Sequence, residues 1–157
     1  MIHVVLIEPE IPWNTGNIGR TCLGAGAELH LVGRLGFHLD EKELQRAGLD
    51  YWEKVNPHRY ATWDKFLEKL DPNLPLMFLS TKGTRTYWDA DFSKGAYLIF
   101  GKETAGLPKD FYDIYKDKMY KIPQADESIR SLNLSTAVGI VLYEAVRQNQ
   151  FQLNQYK

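Results

Sequence analysis

Three polar stretches of this 157-residue sequence hold the side chains best suited to chemistry. The first, EPEIPWNTGNIGR at residues 8–20, leads from an apolar run into a helical pattern, with Asn14 or Thr15 as its cap and Arg20 about one turn in. A helix N-terminus with an arginine close by attracts anions; the plainer reading is a capping turn with a surface arginine. The second, LIFGKETAGLP at 98–108, carries Gly101 and Gly106, whose backbone can face a ligand directly. Its Glu103 can hold a ribose hydroxyl, pair with an arginine, or stand solvated in a helix-initiating turn. The third, IPQADESIRSLNLSTAV at 122–138, delivers Ser131, Asn133 and Ser135 into an apolar helix. Ser131 or Asn133 can serve simply as its N-cap. Such side chains and free amides also suit an uncharged heterocycle such as adenine.

The elements that must position these stretches alternate between strand and helix. Hydrophobic pattern and punctuation predict strands at Ile2–Ile7, broken only by His3, and at Glu28–Val32, Leu76–Ser80, Ala96–Phe100 and Met119–Ile122. Helices are expected from about Thr15 to Gly24, with Ile18, Cys22 and Leu23 on one face, and from Glu41 to Ala47, capped by Asp40 and ended by Gly48. A third is capped by Thr62, with Trp63, Phe66, Leu67 and Leu70 inward, and a short one follows Pro108. Leu134–Gln148 is the last. Strands alternating with helices imply an α/β fold with a parallel sheet covered on both faces. The three polar stretches follow strand ends, where such sheets bind ligands. The last helix is apolar nearly all round. That points to a subunit interface, or else to packing within its own sheet.

Composition narrows the class. The chain is 44% hydrophobic and 25% charged, with a net charge of −1, as expected for one ordinary globular domain. A strongly basic body is excluded, so nucleic acid would have to meet local patches, or patches pooled by two chains. No apolar run is long enough to span a bilayer and the N-terminus lacks a basic leader, which together with a single cysteine, Cys22, suggests the cytoplasm. His3, His30, His38 and His58 show no metal-ligand spacing, so no metal is expected. There is no Walker A loop and no GxSxG elbow. The Gly-x-Gly at 24–26 precedes a strand instead of opening a helix, which disfavours a dinucleotide-binding turn.

Together the three stretches resemble the three motifs of the SPOUT, or trefoil-knotted, RNA methyltransferases: NTGNIGR the first, LIFGKETAGLP the second, IPQADESIRSLNLSTAVGIVLYEA the third. RAGLDYW at 46–52 and LSTKGT at 79–84 narrow the likeness to small stand-alone members acting on the wobble-nucleotide ribose of tRNA. The match runs over nearly the whole chain, without a separate RNA-binding domain. It implies a Rossmann-like α/β/α sandwich whose C-terminal segment forms a deep trefoil knot, an exception to the unknotted rule. The loops at 79–84, 101–107 and 122–135 would hold S-adenosylmethionine. The resemblance also implies a homodimer through the first and last helices.

Carried over position by position, Leu79, Gly101, Ile122 and Ser131 match cofactor-contacting residues; Glu103 and Gly106 share the second motif, and Asn133 and Ser135 complete the third. Arg20 matches the catalytic arginine, acting at the partner's cofactor, with Glu103 to orient it. Tyr143 matches a tyrosine tied to activity, or else packs at the interface. Trp13 stands where relatives often have proline and could stack on an anticodon-loop base or anchor the dimer; Asn14, Arg20 and Arg46 would join it at the RNA. Arg34, Lys42, Lys54, Arg59, Lys82 and Arg85 could extend a basic patch, and Trp52, Tyr60 and Trp88 could stack on bases; a charge-balanced surface and core packing are the plain readings. The implied reaction is in-line attack of a ribose 2′-oxygen on the cofactor's methyl group. A guanidinium stays protonated, so Arg20 suits charge stabilisation and phosphate positioning better than proton abstraction. Alternatives are a ribosomal RNA 2′-O-methyltransferase of the same fold and a non-catalytic cofactor-binding RNA chaperone.

Overall fold

The computed structural model describes residues 1–40, 42, 44, 46 and 51–149. Strands β1 (Ile2–Ile7), β2 (Glu28–Val32), β3 (His58–Tyr60), β4 (Leu76–Leu79), β5 (Arg85–Thr86), β6 (Ala96–Phe100) and β7 (Met119–Lys121) form one sheet in the order β3-β2-β1-β6-β4-β7-β5. Every neighbouring pair is parallel. β1 and β6 are buried along nearly their whole length, which is why they read as continuous apolar runs.

Alternate side chains of the central strands serve two cores. Val4, Leu6, Leu98 and Phe100 pack with Ile18 and Cys22 of helix α1 (Pro12–Ala25) and Val138, Val141 and Leu142 of the last helix. Val5, Ile7, Ile99 and Phe78 pack with Phe66 and Phe111 on the other face. Phe66 belongs to α3 (Trp63–Lys69) and Phe111 to α4 (Phe111–Ile114); α2 (Trp52–Val55) lies against α1, where a Cβ on Gly19 would sit 2.8 Å from the Trp52 ring. Burial pushes the Cys22 thiol up to about 12, so it behaves as a small core residue.

α5 (Leu134–Gln148) buries Val138, Val141, Leu142, Ala145 and Val146 within its own chain. Intrachain packing thus accounts for most of its apolar surface, leaving the half-buried Ile140 and the exposed Tyr143 outward. Other expectations shift slightly. α1 starts at Pro12 instead of Thr15, with Ile11 as N-cap and proline in the first turn, where its missing N–H costs nothing. Thr62 caps α3 by accepting from the Lys65 amide at 3.2 Å, but Leu67 faces solvent. The short edge strands β3 and β5 and helix α2 were not anticipated. Of the expected Asp40-capped helix, Glu41, Ala47 and Gly48 lie outside the described residues.

Candidate active site

The loop after β6 closes on itself. Lys102 and Gly106 exchange backbone hydrogen bonds, at 3.1 and 2.9 Å, across a one-rung antiparallel bridge. A Cβ on Gly101 would lie 2.0 Å from the Gly106 carbonyl carbon, so glycine is obligatory here. The missing side chain makes room for the loop's own return. Gly106 sits in the left-handed region at φ 73, which glycine adopts freely.

Glu103, carried out of this loop, reaches the start of α1. Its carboxylate accepts from the backbone amides of Glu10 at 2.8 Å and Ile11 at 3.1 Å, and from Asn14 Nδ2 at 3.4 Å. These are donors that a helix N-terminus leaves without partners, and a carboxylate complements the dipole there. Neither Asn14 nor Thr15 therefore caps the helix. The chain leaves β1 through Glu8, at a left-handed φ of 49 that is rare for a residue with a side chain, and this turn precedes the two amides. Glu10 reciprocates. Its Oε1 accepts from the Thr104 hydroxyl at 2.7 Å and the Thr104 amide at 3.0 Å, which hold the Glu10 carboxyl below the usual range.

The same brace extends to α5. Asn133 Nδ2 donates to Asn14 Oδ1 at 3.1 Å, while Asn133 Oδ1 caps α5 by accepting from the Thr136 amide at 3.2 Å and from Ser135 Oγ at 2.6 Å. Arg130 donates to the Thr104 carbonyl. Residues 8–14, 101–107 and 130–136 are thereby tied into one unit at the C-terminal ends of β1, β6 and β7.

Beside this brace lies a cavity of about 590 Å³. Leu79, Gly101, Glu103, Gly106, Ile122, Ser131 and Asn133 all line it. Phe100 and Leu134 add apolar wall, and Ser80, Tyr112 and Gln124 add polar groups that sequence reasoning missed. The volume and the mixed lining suit a ligand of nucleoside size with polar and apolar parts.

A family model for SpoU rRNA Methylase matches residues 1–143. The chain belongs to the SpoU methylase family. A tRNA (cytidine(34)-2′-O)-methyltransferase of Saccharophagus degradans is 48% identical over 96% of this chain and 97% of its own length. A solved structure described as giving insight into 2-OH methylation of C/U34 on tRNA superposes with a TM-score of 0.89 at 42% identity, covering 96% of this chain and 97% of the other. An AdoMet-bound rRNA methyltransferase from Sinorhizobium meliloti superposes at 0.81 with 30% identity, over 93% of this chain and 56% of that one.

Several expected residues of this SpoU chain stand outside the cavity or in other roles. Ser135 does not line it; in the first turn of α5 its hydroxyl is given to Asn133. Within its own chain Glu103 gives its oxygens to the start of α1. Arg20 lies eight residues beyond Pro12, about 12 Å along the axis, too far for the anion site expected at the helix end. It is exposed, with its guanidinium 5.3 Å from the Tyr51 ring centroid. Asn14, expected at RNA, is 3% exposed and engaged at both ends of its amide, so it positions the loops. Trp13 and Tyr143 are about half exposed and, like Arg20, line no part of the cavity; Arg46 is exposed. Among the proposed stacking residues, Trp52 packs against the core under α1 and Tyr60 bonds to His30, whereas Trp88 is 63% exposed. Lys82 and Arg85 lie over the Tyr112 and Tyr120 rings, on the cavity's side of the sheet order. Among the described residues no helix is long and apolar enough to cross a membrane.

Proposed function

We propose that this protein transfers a methyl group from S-adenosylmethionine to the ribose 2′-oxygen of nucleotide 34, the wobble position, in tRNA. The observation that carries this reading is the single cavity into which three separate strand-end loops converge, lined by seven of the positions expected to contact the cofactor. The near-full-length likeness to relatives named for position 34 supports the choice of substrate. Leu79, Ile122 and Leu134 would shelter the apolar part of the cofactor, while Ser131 and Asn133 offer polar contacts. Bound there, S-adenosylmethionine supplies an already activated methyl group.

The chain's own work is then positioning and electrostatics. The brace through Glu103, Asn14 and Asn133 fixes the cavity wall against α1. Arg20, outside its own chain's cavity, suits a role at the cavity of a second chain, stabilising the forming alkoxide and anchoring a phosphate. We infer that two chains pair through α1 and α5, whose outward faces carry Trp13, Arg20, Ile140 and Tyr143; Tyr143 Oη lies 3.6 Å from where a Cβ on Gly24 would stand, joining the two helices into one surface. A C-terminal knot is supported by the tightness of the loop after β4: the Ser80 amide donates to the Tyr120 carbonyl at 2.9 Å, and a Cβ on Gly83 would fall 2.6 Å from the Tyr120 carbonyl carbon.

Incubation with radiolabelled cofactor and total tRNA tests the reading, with the methyl mapped to its nucleotide. Label on the ribose of nucleotide 34 is expected. Label only in ribosomal RNA, or cofactor binding with no transfer to any RNA, overturns it. Arg20→Ala should lower kcat by about 10²–10³-fold while leaving cofactor affinity nearly intact. Equal loss of both would place Arg20 in the cofactor site instead.

A further inference from the structure

A second cluster of chemically capable side chains lies at the other end of the same sheet, and linear spacing hides it. Register brings it together. On three adjacent parallel strands, His3 of β1 stands beside Glu28 of β2, and His30 of β2 stands beside His58 of β3. Glu28 and His30 are two apart and so share a face. The result is a convergent set of ligand atoms. His3 Nδ1 lies 3.0 Å from His30 Nε2 and 3.4 Å from Glu28 Oε2, and His30 Nε2 lies 3.9 Å from the same oxygen.

We propose that His3, Glu28 and His30 form a binding site for a Zn²⁺ ion. Three ligands about 2.0–2.1 Å from a tetrahedral ion stand about 3.3–3.4 Å apart, and the three observed separations bracket that value. Two imidazoles and a carboxylate are donors that zinc prefers, and hard ions such as Mg²⁺ favour an all-oxygen set. His58, with Nε2 3.3 Å from Glu28 Oε2, stands at the rim beside the open coordination position.

Two further observations fit this assignment. The surroundings hold the ligands: the Tyr60 hydroxyl lies 3.1 Å from His30 Nδ1, the ring nitrogen turned away from Glu28, while the His3 ring stacks on Tyr97 at 4.5 Å. There is an entry path, because His3 and His30 side chains are only 12% and 6% exposed, whereas Glu28 and His58 are 45% and 49% exposed. An ion here would tie β1 to β2 at the strand ends away from the cavity. The methyl-transfer reading is neither required by this site nor affected by it.

The test uses the full chain, stripped of metal by a chelator and free of any histidine tag. Titration with Zn²⁺ alone, followed by equilibrium dialysis and thermal denaturation, should show one ion per chain and a rise in Tm of several degrees. Co²⁺ should give the visible absorption of a tetrahedral nitrogen and oxygen site. Glu28→Gln and His3→Phe should each weaken Zn²⁺ binding at least about tenfold and abolish the rise in Tm. Circular dichroism checks that each variant is folded, and Glu28→Gln alters only an exposed side chain. Absence of one-to-one binding at about 10 µM free Zn²⁺, binding unchanged in the folded Glu28→Gln protein, or displacement of Zn²⁺ by about 5 mM Mg²⁺ overturns the proposal.

Discussion

The two ends of the sheet each gather polar side chains from distant parts of the chain, yet they are built on opposite plans. At the cavity end the central carboxylate, Glu103, is surrounded by donors: two backbone amides and an asparagine amide. At the histidine end the central carboxylate, Glu28, is surrounded by imidazole nitrogens, two of them on largely buried rings. A carboxylate saturated by N–H groups is a brace, since its lone pairs are spent holding backbone in place. A carboxylate ringed by imidazole nitrogens, the nearest pair of them hydrogen-bonded to each other at 3.0 Å, is a convergent set of ligand atoms that a cation can take up in place of that shared proton. The chemistry of a polar cluster therefore follows from the direction of its hydrogen bonds more than from its residue types.

Gly101→Ala should give the largest effect and tests whether the cavity end is rigid. The added methyl would meet the backbone of Gly106 and Leu107 at 2.0 to 2.3 Å, where no side-chain rotation can relieve it. The bridge between Lys102 and Gly106 would open and Glu103 would withdraw from α1. A loss of at least about 3 kcal/mol in urea denaturation is expected. Loss of cofactor binding by calorimetry should accompany it. Near-wild-type stability would mean that the loop has a second closed form and that the brace is not fixed by it.

A matched pair of substitutions sharpens the contrast itself. Glu103→Gln keeps size and one acceptor but places an NH₂ among amide donors. It should cost about 1.5–3 kcal/mol and weaken cofactor binding, because a helix N-terminus loses its charged cap. Glu28→Gln, in metal-free protein, should change stability by no more than about 0.5 kcal/mol, since that carboxylate is half exposed and holds no backbone. Equal costs at the two positions would erase the distinction drawn between them.

How far sequence reaches is clear from the same two ends. β1, β2 and β6 match their expected limits residue for residue because burial on both faces writes a mainly apolar run, broken only by His3 in β1 and by Glu28 and His30 in β2. β3 and β5 leave no such trace: three and two residues long, mostly exposed, they exist only because a neighbour offers pairing. That three strand-end loops meet in one cleft was legible from glycines and polar residues after strands, whereas Leu79 and Ile122 came from the family resemblance. The role of Glu103 was not, since the amides it serves lie 92 and 93 residues earlier in the chain. That cap also explains the misplaced start of α1, whose own first residues contribute no capping side chain. The histidine cluster was invisible to ligand-spacing rules, which look along one segment, whereas its members meet across strands.

The smallest expected effect probes the one buried polar atom that the brace leaves out. Thr15 follows Asn14 in the first turn of α1 and is fully buried, and its hydroxyl has no hydrogen-bond partner among the described residues. Its backbone amide makes only a long bond, 3.4 Å, to the Ile11 carbonyl. An unsatisfied buried hydroxyl carries a desolvation cost without return, and valine has the same shape without it. Thr15→Val should therefore leave stability unchanged or raise it by up to about 1 kcal/mol, read as a shift in the urea midpoint at constant slope. Cofactor affinity should not move, because Thr15 does not line the cavity. A loss above about 1 kcal/mol would show that the hydroxyl has a partner after all, such as an ordered water beneath Asn14. The brace would then run one residue deeper into α1, and the donor count that separates the two ends of the sheet would grow by one.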